Sequence, residues 1–229
     1  MPKRLLITGA NKANGIGIET LRLFLDAGFE AVVIARNFDD FEFKDNPNVK
    51  AIQYDLSDLS GIKELVKKIG HIDVLINNSG INNFTNYRDY PEELSDRILR
   101  VNFLAPLELI KAVVADWEKN GFGRIVNVSS IAAEHGNRDV FYGATKAALT
   151  NLAKSLYLLD GDKGLIVNTV HPGVVTSNWY PENPVRKTIV EEAKKANQLI
   201  SPVEVAKTIF WLGTSSPSSI NGEVIRVAS

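Results

Sequence analysis

The stretch RLLITGANKANGIGIETLRLFLDA, residues 4–27, joins a short apolar run to a segment of helical period through a glycine-rich turn. Glycine accepts positive φ and lets the backbone approach an anion without a Cβ in the way. The helix that follows presents free N–H groups and a positive dipole end. The stretch predicts a strand at Arg4–Thr8, a helix at Ile16–Ala27 and a phosphate-binding turn between them. An ordinary βα turn would show the same pattern.

The same alternation continues along the whole chain. Nearly continuous apolar runs are typical of parallel strands covered on both faces. Further strands are predicted at Ala31–Ala35, Lys50–Tyr54, Val74–Asn77, Arg124–Val128, Val167–His171 and Val224–Val227. Further helices are predicted at Asp58–Ile69, Pro91–Lys119 with a break near Asn102 or Pro106, Tyr142–Leu158, Arg186–Gln198 and Val203–Leu212. Ser57 or Asp58 is expected to cap the first of these. With right-handed crossovers, this order predicts an α/β fold: a doubly wound, mostly parallel, seven-stranded sheet of Rossmann type. One domain is expected over residues 1–229, with a loop at about 174–201.

Composition excludes several classes of protein. The 229 residues carry 26 basic and 27 acidic side chains without a block of like charge, so no nucleic-acid partner is expected. Cysteine is absent, which excludes disulfides and cysteine-ligated metal sites. The three histidines lack metal-ligand spacing, and no metal site is expected. No apolar run is long enough to span a membrane or to form a signal-peptide core, so a cytoplasmic protein is expected.

Several motifs, in a fixed order, resemble those of short-chain dehydrogenases/reductases. Thr8-Gly9 followed by Gly15-Ile16-Gly17 is similar to the family's cofactor loop, although five residues separate the first two glycines where the family usually has three. The later matches are Asp55, Asn77-Asn78-Ser79-Gly80, Asn102, Ser129-Ser130, Tyr142-x-x-x-Lys146 and Pro172-Gly173. The resemblance covers nearly the whole chain. It implies an oxidoreductase that transfers a hydride between a nicotinamide cofactor and a small ketone or secondary alcohol.

The cofactor contacts implied by the resemblance begin at the glycine turn and end after the sixth strand. They are Gly9, Asn11, Lys12, Gly15, Ile16, Gly17, Arg36, Asp55, Leu56, Asn78, Gly80, Tyr142, Lys146, Pro172, Gly173, Val175 and Thr176. Ala35 stands where NAD-binding folds carry an acid for the ribose, and Arg36 comes next, with Lys12 as a second possible cation. An arginine there accommodates a 2′-phosphate, which favours NADP(H) over NAD(H). A solvated arginine on a surface turn is the alternative, since Asp39 and Asp40 follow closely.

The predicted catalytic pair is Tyr142 and Lys146, four residues apart and hence neighbours on one helix face. An ammonium near a phenol is expected to lower the phenol pKa, which would make Tyr142 a usable acid or base. The resemblance implies that Lys146 also binds the nicotinamide ribose, that Asn102 kinks its helix and holds a water in a proton relay to Lys146, and that Ser130 binds the substrate oxygen. Counting back from Tyr142 would select Ser129 instead. Because strand residues alternate between faces, only one serine can point into the site, and alignment along the strand favours Ser130.

Three further residues are candidates for contact with the substrate. His135, Trp179 and Tyr180 lie in loops where the family binds substrate. The alternatives are a histidine on the surface and a tryptophan that only packs the loop.

A carbonyl reductase or alcohol dehydrogenase is the leading hypothesis for the function. A non-catalytic NADP(H)-binding sensor or scaffold is a second, which the presence of both Tyr142 and Lys146 disfavours. An epimerase or dehydratase of the family's extended branch is a third, disfavoured because residues 202–229 leave no room for that branch's larger C-terminal domain. A homodimer or homotetramer is expected, although the family's closing Asp-Gly-Gly is missing.

Overall fold

A parallel sheet of seven strands forms the middle layer of the protein. The computed structural model describes residues 2–84, 87–121 and 123–228. The strands are β1 (Arg4–Thr8), β2 (Glu30–Ala35), β3 (Val49–Gln53), β4 (Val74–Asn77), β5 (Arg124–Val128), β6 (Ile166–Pro172) and, at the end, β9 (Val224–Val227). They lie in the order β3-β2-β1-β4-β5-β6-β9, and every neighbouring pair is parallel. The predicted doubly wound, seven-stranded α/β fold is confirmed.

Helices cover both faces of this sheet. They are α1 (Ile16–Asp26), α2 (Ile62–Ile69), α3 (Glu92–Leu99), α4 (Ala105–Asn120), α5 (Ala132–His135), α6 (Val140–Asp160), α7 (Pro184–Lys195) and α8 (Pro202–Thr214). Side chains of α1 and α8 pack on one face around Phe24, and those of α2, α4 and α6 pack on the other around Trp117. This double cover explains the nearly continuous apolar runs of the strands. Within the described part of the chain, no helix is long and apolar enough to cross a membrane.

Helix α2 begins at Ile62, four residues later than predicted. Neither Ser57 nor Asp58 caps it. Instead the Asp55 carboxylate accepts hydrogen bonds from the backbone and hydroxyl of Ser57, and Asp58 does the same for Ser60. Such local turns compete with helix formation, and here they delay the helix by about one turn.

The break predicted near Asn102 is confirmed. A π-helical turn at Arg100–Leu104 separates α3 from α4, and Asn102 is buried within it. The Asn102 amide donates to the Ile81 carbonyl at 2.9 Å, and its oxygen accepts from the Ile81 N–H at 2.8 Å. Pro106 lies in the first turn of α4, directly after this π-helical turn.

The segment predicted as a loop at about 174–201 contains more regular structure than expected. Strands β7 (Val174–Val175) and β8 (Leu199–Ile200) pair in parallel as a second, small sheet. Helix α7 runs over Pro184–Lys195 rather than Arg186–Gln198, because the Asn183 side chain caps it and Pro184 occupies its first position. Helix α6 likewise begins before Tyr142, where Asp139 caps it.

Candidate active site

A cavity of about 480 Å³ opens at the carboxyl ends of the central strands. Open α/β sheets bind ligands at this edge. The cavity is lined by the predicted residues Gly9, Asn11, Lys12, Gly15, Ile16, Gly17, Arg36, Asp55, Leu56, Asn78, Gly80, Ser130, His135, Tyr142, Lys146, Pro172, Gly173, Val175, Trp179 and Tyr180. Of the predicted residues that the structure describes, Asn102 and Thr176 lie outside this lining. The Thr176 hydroxyl instead donates to the Ile200 carbonyl at 3.3 Å, and Ser177 lines the cavity beside it.

The glycine turn packs directly against the end of β4. Gly9 has φ +68°, and a Cβ there would lie 2.8 Å from the Ser79 Oγ. A Cβ at Gly17 would lie 2.6 Å from the Asn78 Nδ2, which itself donates to the Thr8 and Gly9 carbonyls at 2.9 Å. Helix α1 begins beyond this turn without a side-chain cap among the described residues. Its first N–H groups are therefore suited to a diphosphate, and the turn fits a dinucleotide.

The cofactor loop contacts the segment after β7. Asn14 adopts φ 53° and donates from Nδ2 to the Thr176 carbonyl at 3.1 Å. Asn178 donates in return to the Ala13 carbonyl at 3.2 Å. The longer loop thus joins the two sides of the cavity.

A cluster of charge lies at the rim of the cavity, after β2 and β3. Arg97 is paired with Asp55 at 2.8 Å. Burial opposes ionisation of Asp55, but hydrogen bonds from Ser57 and the charges of Arg97 and Arg36 together lower the pKa of its carboxyl. Arg36 and Lys12 both line this rim. Of the described residues, Asp39 and Asp40 do not line it.

The two serines that follow β5 point to opposite sides. The Ser129 hydroxyl is buried against α6, where it donates to the Lys146 carbonyl at 2.8 Å and accepts from the Thr150 hydroxyl at 2.9 Å. Ser130 lines the cavity together with Tyr142, and its hydroxyl accepts from the Ala132 N–H at 3.1 Å. Val128, the residue before the two serines, pairs with Val170 of β6, and this pairing sets the register of β5. The length of the loop between Ser130 and Tyr142 therefore does not decide which serine lines the cavity.

Tyr142 and Lys146 lie together at the buried end of the cavity. Lys146 is only 3 % exposed, and its Nζ donates to the Val128 carbonyl at 2.8 Å. The same Nζ lies 5.7 Å from the Tyr142 ring centroid. Burial lowers the pKa of Lys146 to about 8. Burial also raises the pKa of Tyr142 to about 12, because the effect of burial is larger than the opposing effect of the Ser130 hydroxyl. The expected lowering of the Tyr142 pKa is therefore wrong for this structure, because desolvation of the phenolate dominates.

Asn102 approaches this pair from behind Gly80. A Cβ at Gly80 would lie 3.2 Å from the Lys146 Nζ and 3.7 Å from the Asn102 Oδ1. The Asn102 amide also donates to the Thr145 hydroxyl at 3.2 Å, so its side chain binds both the loop at Ile81 and helix α6. Asn102 thus holds the segment at Gly80 and Ile81, which lies between Asn102 and Lys146.

Asp139 is a site residue that sequence reasoning missed. Its buried carboxylate accepts from the Tyr142 N–H at 3.0 Å, the Asn83 N–H at 2.9 Å and the Tyr90 hydroxyl at 3.0 Å. It therefore fixes the start of α6, and with it Tyr142, against the loop after β4. An aspartate just before a predicted helix is a common cap, and that signal could have found it.

Aromatic side chains cover the substrate end of the cavity. Trp179 packs 5.8 Å from both Tyr142 and Phe84, and Phe84 lies 5.5 Å from Tyr180, measured between ring centroids. Phe84 and Tyr180 both adopt positive φ, at 59° and 52°, a conformation that side chains rarely hold without surrounding contacts. Trp179 also donates to the Gly80 carbonyl at 3.4 Å, so it both packs the loop and faces Tyr142. The His135 side chain lies at the exposed rim.

Burial of Lys146 predicts a measurable pH effect on stability. With its pKa lowered to about 8 from 10.5, the folded state disfavours the ammonium. Above pH 10.5 Lys146 is neutral in both the folded and the unfolded state, and its ionisation costs no stability. As the pH falls from 10.5 toward 8, the unfolded state takes up the proton first and the free energy of unfolding decreases. Below pH 8 this loss of stability is constant. We expect Lys146→Met to raise the free energy of unfolding at pH 7, relative to the parent, by on the order of 2–3 kcal/mol, with the difference shrinking above pH 8.

Urea unfolding of both proteins between pH 6.5 and 10 measures this difference. Lys154→Met is the matched control, because Lys154 is an exposed lysine on the same helix. A stability difference for Lys146→Met that stays constant across this range would show that Lys146 is not desolvated in solution.

Comparisons with known proteins agree with this geometry. The model of the short chain dehydrogenase family matches residues 3–185. The 3-oxoacyl-(acyl-carrier-protein) reductase FabG of Thermotoga maritima is 32% identical over 245 residues, covering 98% of this chain and 96% of the relative. The structure of 4-hydroxyisoleucine dehydrogenase complexed with NADH matches with TM-score 0.88 at 27% identity, covering 98% of this chain and 96% of that one. ElxO with NADP bound matches with TM-score 0.83 at 26% identity, covering 99% and 97%.

The match to the family model extends over the glycine turn, the strand-end serines and the Tyr142–Lys146 pair. The structural matches extend over nearly the whole sheet and its helices. The chain therefore belongs to the short-chain dehydrogenase/reductase family and is an NAD(P)-dependent oxidoreductase that acts on CH–OH and C=O groups.

Proposed function

We propose that the protein is an NADP(H)-dependent reductase of small ketones, or in reverse a dehydrogenase of the corresponding secondary alcohols. The observation that carries this proposal is that Ser130, Tyr142 and buried Lys146 line one cavity, which the glycine turn also lines. The relative from Thermotoga maritima is named for reduction of a 3-oxoacyl group, which is also a ketone. A non-catalytic sensor would need neither a hydroxyl at Ser130 nor a proton donor at Tyr142.

In the proposed reaction the protein supplies a proton, a hydrogen bond and an electrostatic setting. A nicotinamide cofactor, when bound, donates the hydride to the carbonyl carbon or accepts it from the alcohol. The Tyr142 hydroxyl gives its proton to the carbonyl oxygen as negative charge develops there. The Ser130 hydroxyl donates a hydrogen bond to the same oxygen and stabilises that charge. Asn102 and Asp139 hold the flanking loop and the start of α6 in place.

The cofactor would lie across the strand ends from Arg36 to Val175. The glycine turn and the start of α1 fit its diphosphate, Asp55 and Leu56 lie where the family contacts adenine, and Lys146 would bind the ribose hydroxyls. The segment Pro172–Val175 would position the nicotinamide. Thr176, which lies outside the cavity lining here, stays a proposed contact.

Arg36 at the rim supports NADP(H) over NAD(H). Its guanidinium would meet the 2′-phosphate in a charge-assisted hydrogen bond of about 1.5–3 kcal/mol. Arg36→Ala should therefore weaken NADPH binding roughly tenfold to a hundredfold and leave NADH binding nearly unchanged. Fluorescence titration of both cofactors measures the effect, with Lys44→Ala, an exposed lysine outside the cavity, as the control. Equal weakening of both cofactors would contradict the assignment.

A spectrophotometric screen tests the function as a whole. NADPH oxidation would be followed with ketones, β-keto esters, sugars and pteridines, and NADH would be compared under the same conditions. Turnover of at least one carbonyl compound, lost in Tyr142→Phe, is the expected result. The cytoplasmic location and the homodimer or homotetramer expected from the sequence belong to this proposal, and sedimentation equilibrium tests the assembly state.

A further inference from the structure

Helix α7 brings one arginine into the substrate end of the cavity. Arg186 lies in the first turn of α7 and is only 8 % exposed, although it lines the cavity. Its Nη2 donates to the Val175 carbonyl at 2.6 Å. The guanidinium carbon lies 5.7 Å from the Trp179 ring centroid, so the aromatic ring covers one side of the cation.

This buried cation lacks an acidic partner. Within the described part of the chain, no carboxylate lies within 4.0 Å of the guanidinium. Among the same residues, none accepts a hydrogen bond from its buried Nε. Arginines are almost never buried to this extent unless they are paired, because removing a charge from water is costly. An anion in the cavity, which Arg186 lines, would supply the missing charge.

The position of Arg186 relates this anion to the reacting atoms. Trp179 contacts Arg186 and also packs 5.8 Å from the Tyr142 ring. Arg186 and Tyr142 line the same cavity, and the charge of Arg186 favours the ionised form of the Tyr142 hydroxyl. A molecule whose carbonyl oxygen meets Tyr142 and Ser130 could therefore reach Arg186 with a second polar group.

Resting on the proposed function, we propose that Arg186 binds the carboxylate of the substrate, and that the enzyme therefore acts on keto acids or hydroxy acids. A guanidinium presents planar donors that match a carboxylate, which a lysine does not. The diphosphate of the cofactor is another anion of suitable chemistry. The glycine turn and the start of α1 already fit that diphosphate, whereas Arg186 lies beside the aromatic cover of Tyr142. The observations thus favour the substrate as the source.

Matched acids and esters test this assignment without requiring turnover. Acetoacetate, levulinate and their methyl esters would be titrated by calorimetry into the enzyme saturated with NADP⁺, which cannot reduce a ketone. We expect the wild type to bind at least one acid more tightly than its ester. In Arg186→Gln that acid should bind about tenfold to a hundredfold more weakly, with the ester and NADPH affinities unchanged. Arg186→Lys should retain part of the preference for the acid.

The control is Lys187→Gln, because Lys187 is the next residue of α7 and its exposed side chain pairs with Glu182. It should leave the preference for the acid intact. A wild type without preference for either acid would overturn the proposal, and this comparison stands even where Arg186→Gln fails to fold. Weaker NADPH binding in Arg186→Gln, with acid and ester affected alike, would also overturn it and show that Arg186 serves the cofactor, through its diphosphate or through the Val175 carbonyl.

Activity assays separate this proposal from the proposed function. Reduction of a neutral ketone by the wild type, without preferential binding of an acid, would leave the reductase assignment intact and refute the carboxylate site. Preferential binding of an acid that requires Arg186, in a protein that reduces no carbonyl compound, would support the carboxylate site and contradict the reductase assignment.

Discussion

Replacing Ser130 with alanine should lower turnover by roughly two to three powers of ten. Ser130 and Tyr142 line the same cavity, and in the proposed reaction both hydroxyls meet the carbonyl oxygen that gains negative charge. Removing one donor to such an oxyanion costs on the order of 2.7–4 kcal/mol of transition-state stabilisation. Steady-state kinetics with a substrate from the ketone screen measures the loss. NADPH affinity should hardly change, because the interaction forms with the substrate.

The neighbouring serine provides the control for this prediction. Ser129→Ala removes the hydroxyl that bonds the Lys146 carbonyl and the Thr150 hydroxyl inside the protein. Its effect should appear as a loss of about 1 kcal/mol in the free energy of unfolding, with turnover within a small factor of the parent. If Ser129→Ala abolished turnover while Ser130→Ala spared it, the orientation of the two serines would be the reverse of that in the structure.

Replacing Tyr142 with phenylalanine should lower turnover at least about a hundredfold. The ring and its packing against Trp179 are kept, and only the exchangeable proton is lost. Because burial raises the Tyr142 pKa to about 12, the hydroxyl is protonated at neutral pH and ready to act as the acid in ketone reduction. We therefore expect the loss in the reducing direction at pH 7, with nearly unchanged NADPH affinity by fluorescence titration.

The matched control is Tyr157→Phe, the same substitution at an exposed position of the same helix. It should leave both turnover and NADPH affinity unchanged. A nearly normal rate for Tyr142→Phe would instead contradict the proton-donor role and require another acid in the cavity. A hundredfold loss accompanied by an equal loss of NADPH affinity would point to a role in cofactor binding.

The sequence alone determined the order of strands and helices and the location of the site. Four strands, among them Arg4–Thr8 and Val74–Asn77, lie within the predicted bounds. Burial on both faces makes the inner strands continuous apolar runs, which can be located without knowledge of their partners. The glycine turn and the spacing of Tyr142 and Lys146 are equally local, since a turn and one helix face involve residues close in the chain.

Only the tertiary structure decided the properties that depend on residues distant in the chain. The Ser129 and Ser130 orientations follow from the pairing of β5 with β6, and the raised Tyr142 pKa follows from burial beneath Trp179 and its neighbours. The lack of an acid beside Arg186 depends on every element that surrounds the cavity, and no local pattern could have shown it. Desolvation and charge pairing are sums over all such neighbours, and folding brings those neighbours together.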